Sequence, residues 1–116
     1  PRPTPARQCA DKAAASISRN FSRDITIAEV ADFTGISESY LYRVFSAELG
    51  LAPAQFLMRY RVSEAAALLR GSSLTIGEVA ASCGFRDPLY FSRVFRRIQG
   101  VSPREYARRA VEAKGD

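Results

Sequence analysis

Gly84-Phe85-Arg86-Asp87-Pro88-Leu89-Tyr90-Phe91-Ser92-Arg93-Val94-Phe95-Arg96-Arg97 is the stretch from which the fold can be read. Its glycine opens a turn. Asp87 can accept hydrogen bonds from the first orphan N–H groups of a helix, and Pro88 suits the first helical position. Leu89, Tyr90, Val94 and Phe95 then recur at helical spacing, while Arg86, Arg93, Arg96 and Arg97 fall largely elsewhere. The spacing predicts a basic helix with an apolar back. Such a helix can lay a cationic face on a polyanion, and a solvated surface helix can look the same.

The stretch is not unique in the chain. Residues 25–56 match residues 74–106 at an offset of about 49, which becomes about 50 after one extra residue near Pro88. Thr26, Ile27, Glu29, Val30, Ala31 and Gly35 recur as Thr75, Ile76, Glu78, Val79, Ala80 and Gly84. Tyr40, Arg43, Val44, Phe45, Gly50 and Pro53 recur as Tyr90, Arg93, Val94, Phe95, Gly100 and Pro103. A solenoid would need three or more stacked units, so two copies joined by a different helix suit a duplicated module better. The repeated unit has the grammar of a helix-turn-helix: a small residue (Ala31, Ala80) four before a turn glycine (Gly35, Gly84), with apolar residues between the helices.

Around the repeat the other elements fall into place. Residues 1–5 are a proline-rich, linker-like lead-in, read as the edge of a fragment of a longer protein. A helix is expected from Ala6 to Asn20, with Cys9, Ala13 and Ile17 inward. Thr26 with Glu29, Thr75 with Glu78 and Ser102 with Glu105 have the spacing of capping boxes and mark three helix starts. Ser37 caps a helix from Glu38 to Glu48. Pro53 to Arg70 reads as a longer helix whose apolar side includes Phe56, Leu57, Tyr60, Val62, Ala65, Leu68 and Leu69. The last helix is expected to end near Arg109, with a frayed tail beyond. No segment alternates with the period of a strand. The predicted fold is all-α with about seven helices: a first helix-turn-helix subdomain (6–52), a bridging helix (53–70), a second subdomain (71–109) and a tail (110–116).

Charge sharpens this. The net charge is +5, and residues 84–109 alone hold seven arginines against Asp87 and Glu105, so the surplus lies in the last third of the chain. There is no histidine, which excludes a Cys/His zinc site and a histidine-based nucleophile; no metal, cofactor or catalytic residue is expected. Cys9 and Cys83 make no disulfide framework, and a reduced, cytosolic setting is the simpler reading. No apolar run approaches the ~20 residues of a membrane span.

Each feature has a bland counterpart. Tyr40, Phe45, Tyr90, Phe91 and Phe95 are expected in the core rather than stacked on bases. Arg43 and Arg93 occupy equivalent mid-helix positions suited to touching DNA, against a role in surface ion pairs. Arg96 and Arg97 suit phosphate better than bases, and Arg104, Arg108 and Arg109 can be a solvated face. Two competitors remain: a helical protein-interaction module that presents arginines to an acidic partner, and a DNA-repair enzyme using Cys9 or Cys83. The doubled turn motif argues against the first, and the absence of a histidine base against the second.

With these residues in place, the sequence resembles the DNA-binding domain of the AraC/XylS family of bacterial transcription regulators. The resemblance is carried by Gly35-Ile36-Ser37-x-x-Tyr40-Leu41-x-Arg43-Val44-Phe45 and by Arg61-Val62-x-x-Ala65-x-x-Leu68-Leu69. The second unit adds Ile76-x-Glu78-Val79-Ala80-x-x-Cys83-Gly84-Phe85-x-Asp87-x-x-Tyr90-Phe91-Ser92-Arg93-Val94-Phe95, then Gly100-x-Ser102-Pro103-x-x-Tyr106. It covers about residues 6–109. It implies two helix-turn-helix subdomains whose recognition helices enter successive major grooves. A bridging helix of roughly 18 residues, ~27 Å long, suits the ~34 Å of one DNA turn. The residues implied to face bases are Ser39, Tyr42, Arg43, Leu89, Ser92 and Arg93; those implied to face phosphates are Thr26, Thr75, Arg86, Arg96 and Arg97. Double-stranded DNA is the implied partner, with RNA polymerase and an N-terminal effector or dimerisation domain as further ones, in the cytoplasm on the bacterial nucleoid. The apolar Pro88-Leu89 start of the second recognition helix shifts much of the expected burden of specificity to the first, with Ser39, Tyr42 and Arg43.

Overall fold

The computed structural model describes residues 1–114, and among these every regular element is a helix. In order they are α1 (Pro5–Asn20), α2 (Ile27–Thr34), α3 (Glu38–Leu49), α4 (Pro53–Gly71), α5 (Ile76–Ser82), α6 (Pro88–Gln99) and α7 (Pro103–Lys114). The chain divides into two compact units, residues 1–58 and 59–116, with the boundary inside α4.

In the first unit α1 starts where the Thr4 hydroxyl accepts the Arg7 N–H at 3.1 Å and Pro5 fills the first turn. Its inward stripe is Ala10, Ala13, Ser16 and Ile17, spaced three or four apart. Asn20 ends it by bonding back to the Ser16 carbonyl at 2.8 Å. Ala13 and Ile17 meet Val30 and Ala31 of α2, Leu41 and Phe45 of α3, Ile25, and Leu57 on the first turns of α4. Phe45 is fully buried and meets the Phe56 ring edge-on, with centroids 5.5 Å apart. Burying one such side chain stabilises by about 1.5–3 kcal/mol, so this small core depends on its few large members.

The second unit is built on a file of aromatic rings. Phe85 meets Phe91 at 5.0 Å between centroids, Phe91 meets Phe95 at 5.6 Å, and Phe95 meets Tyr106 of α7 at 5.4 Å. Phe91, Phe95, Val79 and Val94 are fully buried, and Val62, Ala65 and Leu69 of α4 are buried as well. The buried back of α6 is therefore Phe91, Val94 and Phe95. Leu89 and Tyr90, which the spacing assigned to that back, are instead 70% and 47% exposed. Leu89 is two and five residues from Phe91 and Val94, which turns it off the buried stripe. The Tyr90 ring makes a tilted contact with Phe85, with centroids 6.3 Å apart.

The last helix runs past Arg109 to Lys114. Its outer face carries its own supports: Arg108 pairs with Glu105 and with Glu112, and Arg109 pairs with Glu105 at 3.1 Å, all at helical i,i+3 or i,i+4 spacing. Lys114 donates to the Arg70 carbonyl at the end of α4, and Arg70 in turn donates to the Tyr106 hydroxyl and lies over its ring. These long-range ties have no signature in local spacing.

Candidate nucleic-acid interface

Each unit contains one helix-turn-helix, and the two turns share a left-handed glycine and one long backbone hydrogen bond. Gly35 and Gly84 have φ of 81° and 88°, the left-handed region in which a Cβ is costly. In the first turn the Ile36 N–H reaches back to the Ala31 carbonyl at 3.2 Å; in the second the Phe85 N–H reaches the Ala80 carbonyl at 2.9 Å. Both satisfy orphan carbonyls at the end of the leading helix, and both acceptors belong to buried alanines. The sequence offset thus reappears as a repeated backbone geometry.

The turn delivers the chain to a capped second helix in each unit. The Ser37 hydroxyl accepts the Tyr40 N–H at 3.1 Å at the start of α3, and the Asp87 carboxylate accepts the Leu89 N–H at 3.0 Å at the start of α6. Leu41, Val44 and Phe45 on α3, and Phe91, Val94 and Phe95 on α6, are buried. The opposite stripe is outward on both helices. On α3 it exposes Ser39, Tyr42, Arg43 and Ser46; on α6 it exposes Leu89, Arg93, Arg96 and Arg97, with Ser92 half-buried among them. The six residues implied to face bases thus form two groups of three, one per helix. Arg86 is exposed in the turn before α6.

The electrostatics of the two faces differ. Ser46 and Ala47 of the first helix have Arg96 and Arg97 as counterparts on the second. Among the described residues, Arg93, Arg96 and Arg97 make no ion pair, so their charge is available to a ligand. Arg108 and Arg109 of α7 are in a different state. Their hydrogen bonds hold the Glu105 carboxyl down to about 2, so it stays ionised, and together with Glu112 it offsets their charge.

The helix starts at Thr26 and Thr75 carry their own anions. At α5 the capping box is complete: Thr75 Oγ1 accepts the Glu78 N–H at 3.1 Å and the Thr75 N–H donates to Glu78 Oε1 at 2.9 Å. The Thr75 backbone N–H, with the Thr75 hydroxyl, holds the Glu78 carboxyl below its ordinary value. At α2 the box is half made: Thr26 accepts the Glu29 N–H at 3.1 Å, but the Glu29 carboxylate turns to Arg23 at 3.2 Å. At α7 the Ser102 hydroxyl caps Glu105, whose carboxylate goes to the two arginines. Donors already used inside a cap are less available to phosphate than the arginines of α6.

Two features of this region were not read from sequence. Arg61 is only 7% exposed and lies over the Phe85 ring at 5.8 Å, beneath the second turn. Its position four before buried Ala65 was the available signal, since a charged residue in an apolar stripe points inward. The second is the stacking of Arg43, whose guanidinium lies over the Tyr40 ring at 5.1 Å; the i,i+3 spacing permits such a contact but does not decide it, since Arg93 stands three after Tyr90 without lying over its ring.

A tight turn repeated twice, each followed by a capped helix with a solvent-facing polar stripe, defines a helix-turn-helix domain of the DNA-binding class. The helix-turn-helix domain profile matches residues 30–109, and the chain belongs to the AraC-type family of helix-turn-helix transcription regulators. It is 38% identical over 88 residues to the HTH-type transcriptional activator RhaR of Yersinia pseudotuberculosis, covering 73% of this chain and 30% of that protein. The fold is similar to the C-terminal domain of AraT, a response regulator from Geobacillus stearothermophilus, with a TM-score of 0.85 at 36% identity over 93% of this chain and 88% of that one. It is also similar to the DNA-binding domain of AdpA, solved in complex with a target DNA, with a TM-score of 0.87 at 29% identity over 92% of this chain and 96% of that one. The chain spans about a third of the length of the curated relatives it matches, from 30% to 39%.

Proposed function

We propose that this chain binds double-stranded DNA sequence-specifically as the DNA-reading part of a longer transcription regulator, acting by binding and not by covalent chemistry. The observation that carries the proposal is the unneutralised arginine face of α6 on a motif whose turn geometry is duplicated in the other unit. Each recognition helix reads its own stretch of major groove, the two stretches being successive grooves of one site. Arg43 and Arg93 pair bidentately with guanine; Ser39, Tyr42 and Ser92 hydrogen-bond base edges; Leu89 packs on a thymine methyl. Arg86, Arg96 and Arg97 bind phosphates and supply affinity without sequence information. Thr26 and Thr75 add helix N-termini near the backbone, a weaker contribution because their caps are occupied.

The remainder of the regulator, on this reading, is an N-terminal effector or dimerisation domain, and the output passes through RNA polymerase in the bacterial cytoplasm, on the nucleoid. AdpA, the relative solved with DNA, supports the choice of ligand. RhaR, an activator by name, supports activation. Fluorescence anisotropy of this chain with labelled duplexes tests the core of the proposal. A steep fall in affinity with salt together with preference for one sequence is expected; no binding to any duplex at low salt contradicts it.

A further inference from the structure

The two recognition helices differ in how they hold their equivalent arginines. On α3 the Arg43 guanidinium carbon sits 5.1 Å from the centroid of the half-buried Tyr40 ring, and among the described residues no carboxylate pairs with it. On α6 the corresponding Tyr90 is 47% exposed and leans on Phe85, and among the described residues no cation lies over its ring. Arg93 therefore lacks the half-buried aromatic platform on which Arg43 rests.

We infer that Tyr40 is a positioning residue for Arg43, holding its guanidinium toward the N-terminal end of α3 in the pose used to read a base. Side chains on a helix lean toward its N-terminus, and that end of a recognition helix is the part that contacts base edges. A guanidinium stacked on an aromatic face keeps its planar fork free at the edge, where bidentate hydrogen bonds form. An arginine already held there loses less rotamer freedom on binding, so the advantage appears when the correct base is present. The first unit then discriminates more sharply at the base that Arg43 reads, while the second, with Arg93 beside Arg96 and Arg97, adds more of the phosphate grip. This rests on the reading of Arg43 as a base contact, and the test separates the two.

The experiment uses the present chain and its selected duplex, with that duplex changed at each base pair in turn. Arg43→Ala locates the base pair at which discrimination disappears. Tyr40→Leu, which keeps an apolar side chain at the half-buried site, should lower discrimination at that pair by about two- to five-fold, the scale of an exposed cation–π contact. It should leave the salt slope unchanged and add nothing on an Arg43→Ala background, whereas Tyr40→Phe, which keeps the ring, should behave as the parent. Tyr90→Leu should leave the Arg93-dependent pair alone, and melting curves should report all variants folded. If Arg43→Ala lowers affinity alike at every pair, the base reading falls and the inference with it. If Arg43→Ala is selective but Tyr40→Leu is silent, uniform or additive with it, or if Tyr40→Phe fails as badly, the inference alone falls.

Discussion

Removing Arg96 and Arg97 together should change the salt dependence of DNA binding in a way that removing Arg108 does not. The two α6 arginines are exposed and make no ion pair among the described residues, whereas Arg108 on α7 is held by Glu105 and Glu112. Each phosphate contact contributes about 0.9 to the slope of log affinity against log salt, so losing two should flatten it by about 1.8. Over the fourfold rise from about 50 to about 200 mM salt, that is a roughly 12-fold smaller loss of affinity than the parent shows. Arg108→Ala removes the same kind of charge from the same unit, but one already neutralised, and should leave the slope as it was. Anisotropy titrations of a labelled duplex at four or more salt concentrations measure this directly. Flattening by about 0.9 in Arg108→Ala, half that of the double variant, would mean that net charge, not the face of α6, sets the affinity. An unchanged slope in the Arg96→Ala, Arg97→Ala double variant would mean that this face does not meet phosphate.

Three further outcomes follow from the packing. Gly35→Ala should destabilise the first unit by about 1–2 kcal/mol, seen as a lower melting temperature. Nothing lies within 4 Å of the added Cβ, so the cost is that of the left-handed backbone at φ 81° alone. Phe91→Ala removes a fully buried ring between Phe85 and Phe95 and should cost about 3–5 kcal/mol in denaturant titrations. Burial, aided by the charge of Glu64 and opposed by that of Arg61, pushes the Cys83 thiol up to about 11 from an ordinary 9.0. The native thiol then keeps a proton that the unfolded one releases, so stability present below about pH 9 should be lost as the pH rises to about 11. Melting curves across that window should show this slope in the parent and lose it in Cys83→Ala.

Most of the architecture was open to reading because it is written in local chemistry. Thr75 and Glu78, Ser37, Asp87-Pro88 and the two turn glycines each announce a helix boundary by their own bonding, and the structure uses them so. The doubling made the reading firm, since Gly35 and Gly84 recur in register with Arg43 and Arg93. What escaped depends on contacts that local spacing permits without deciding, or on partners distant in sequence. α7 continues past Arg109 with the local Arg108–Glu112 pair and with Lys114 reaching the Arg70 carbonyl across the unit. Tyr90 is exposed because the ring file is filled by Phe85, Phe91 and Phe95, an order that helical spacing does not fix. Within the site, spacing and charge indicate which side chains face outward. They do not reveal which arginines are neutralised, as Arg108 is, or stacked, as Arg43 is.

The proposed function requires that the two duplicated helices read one DNA site. Selection of bound duplexes from a random pool, repeated with Arg43→Ala and with Arg93→Ala, tests it most directly. The parent should enrich one motif with two blocks of defined bases, Arg43→Ala erasing information in one block and Arg93→Ala in the other. No enrichment over the starting pool, or loss of both blocks alike in each variant, would contradict it.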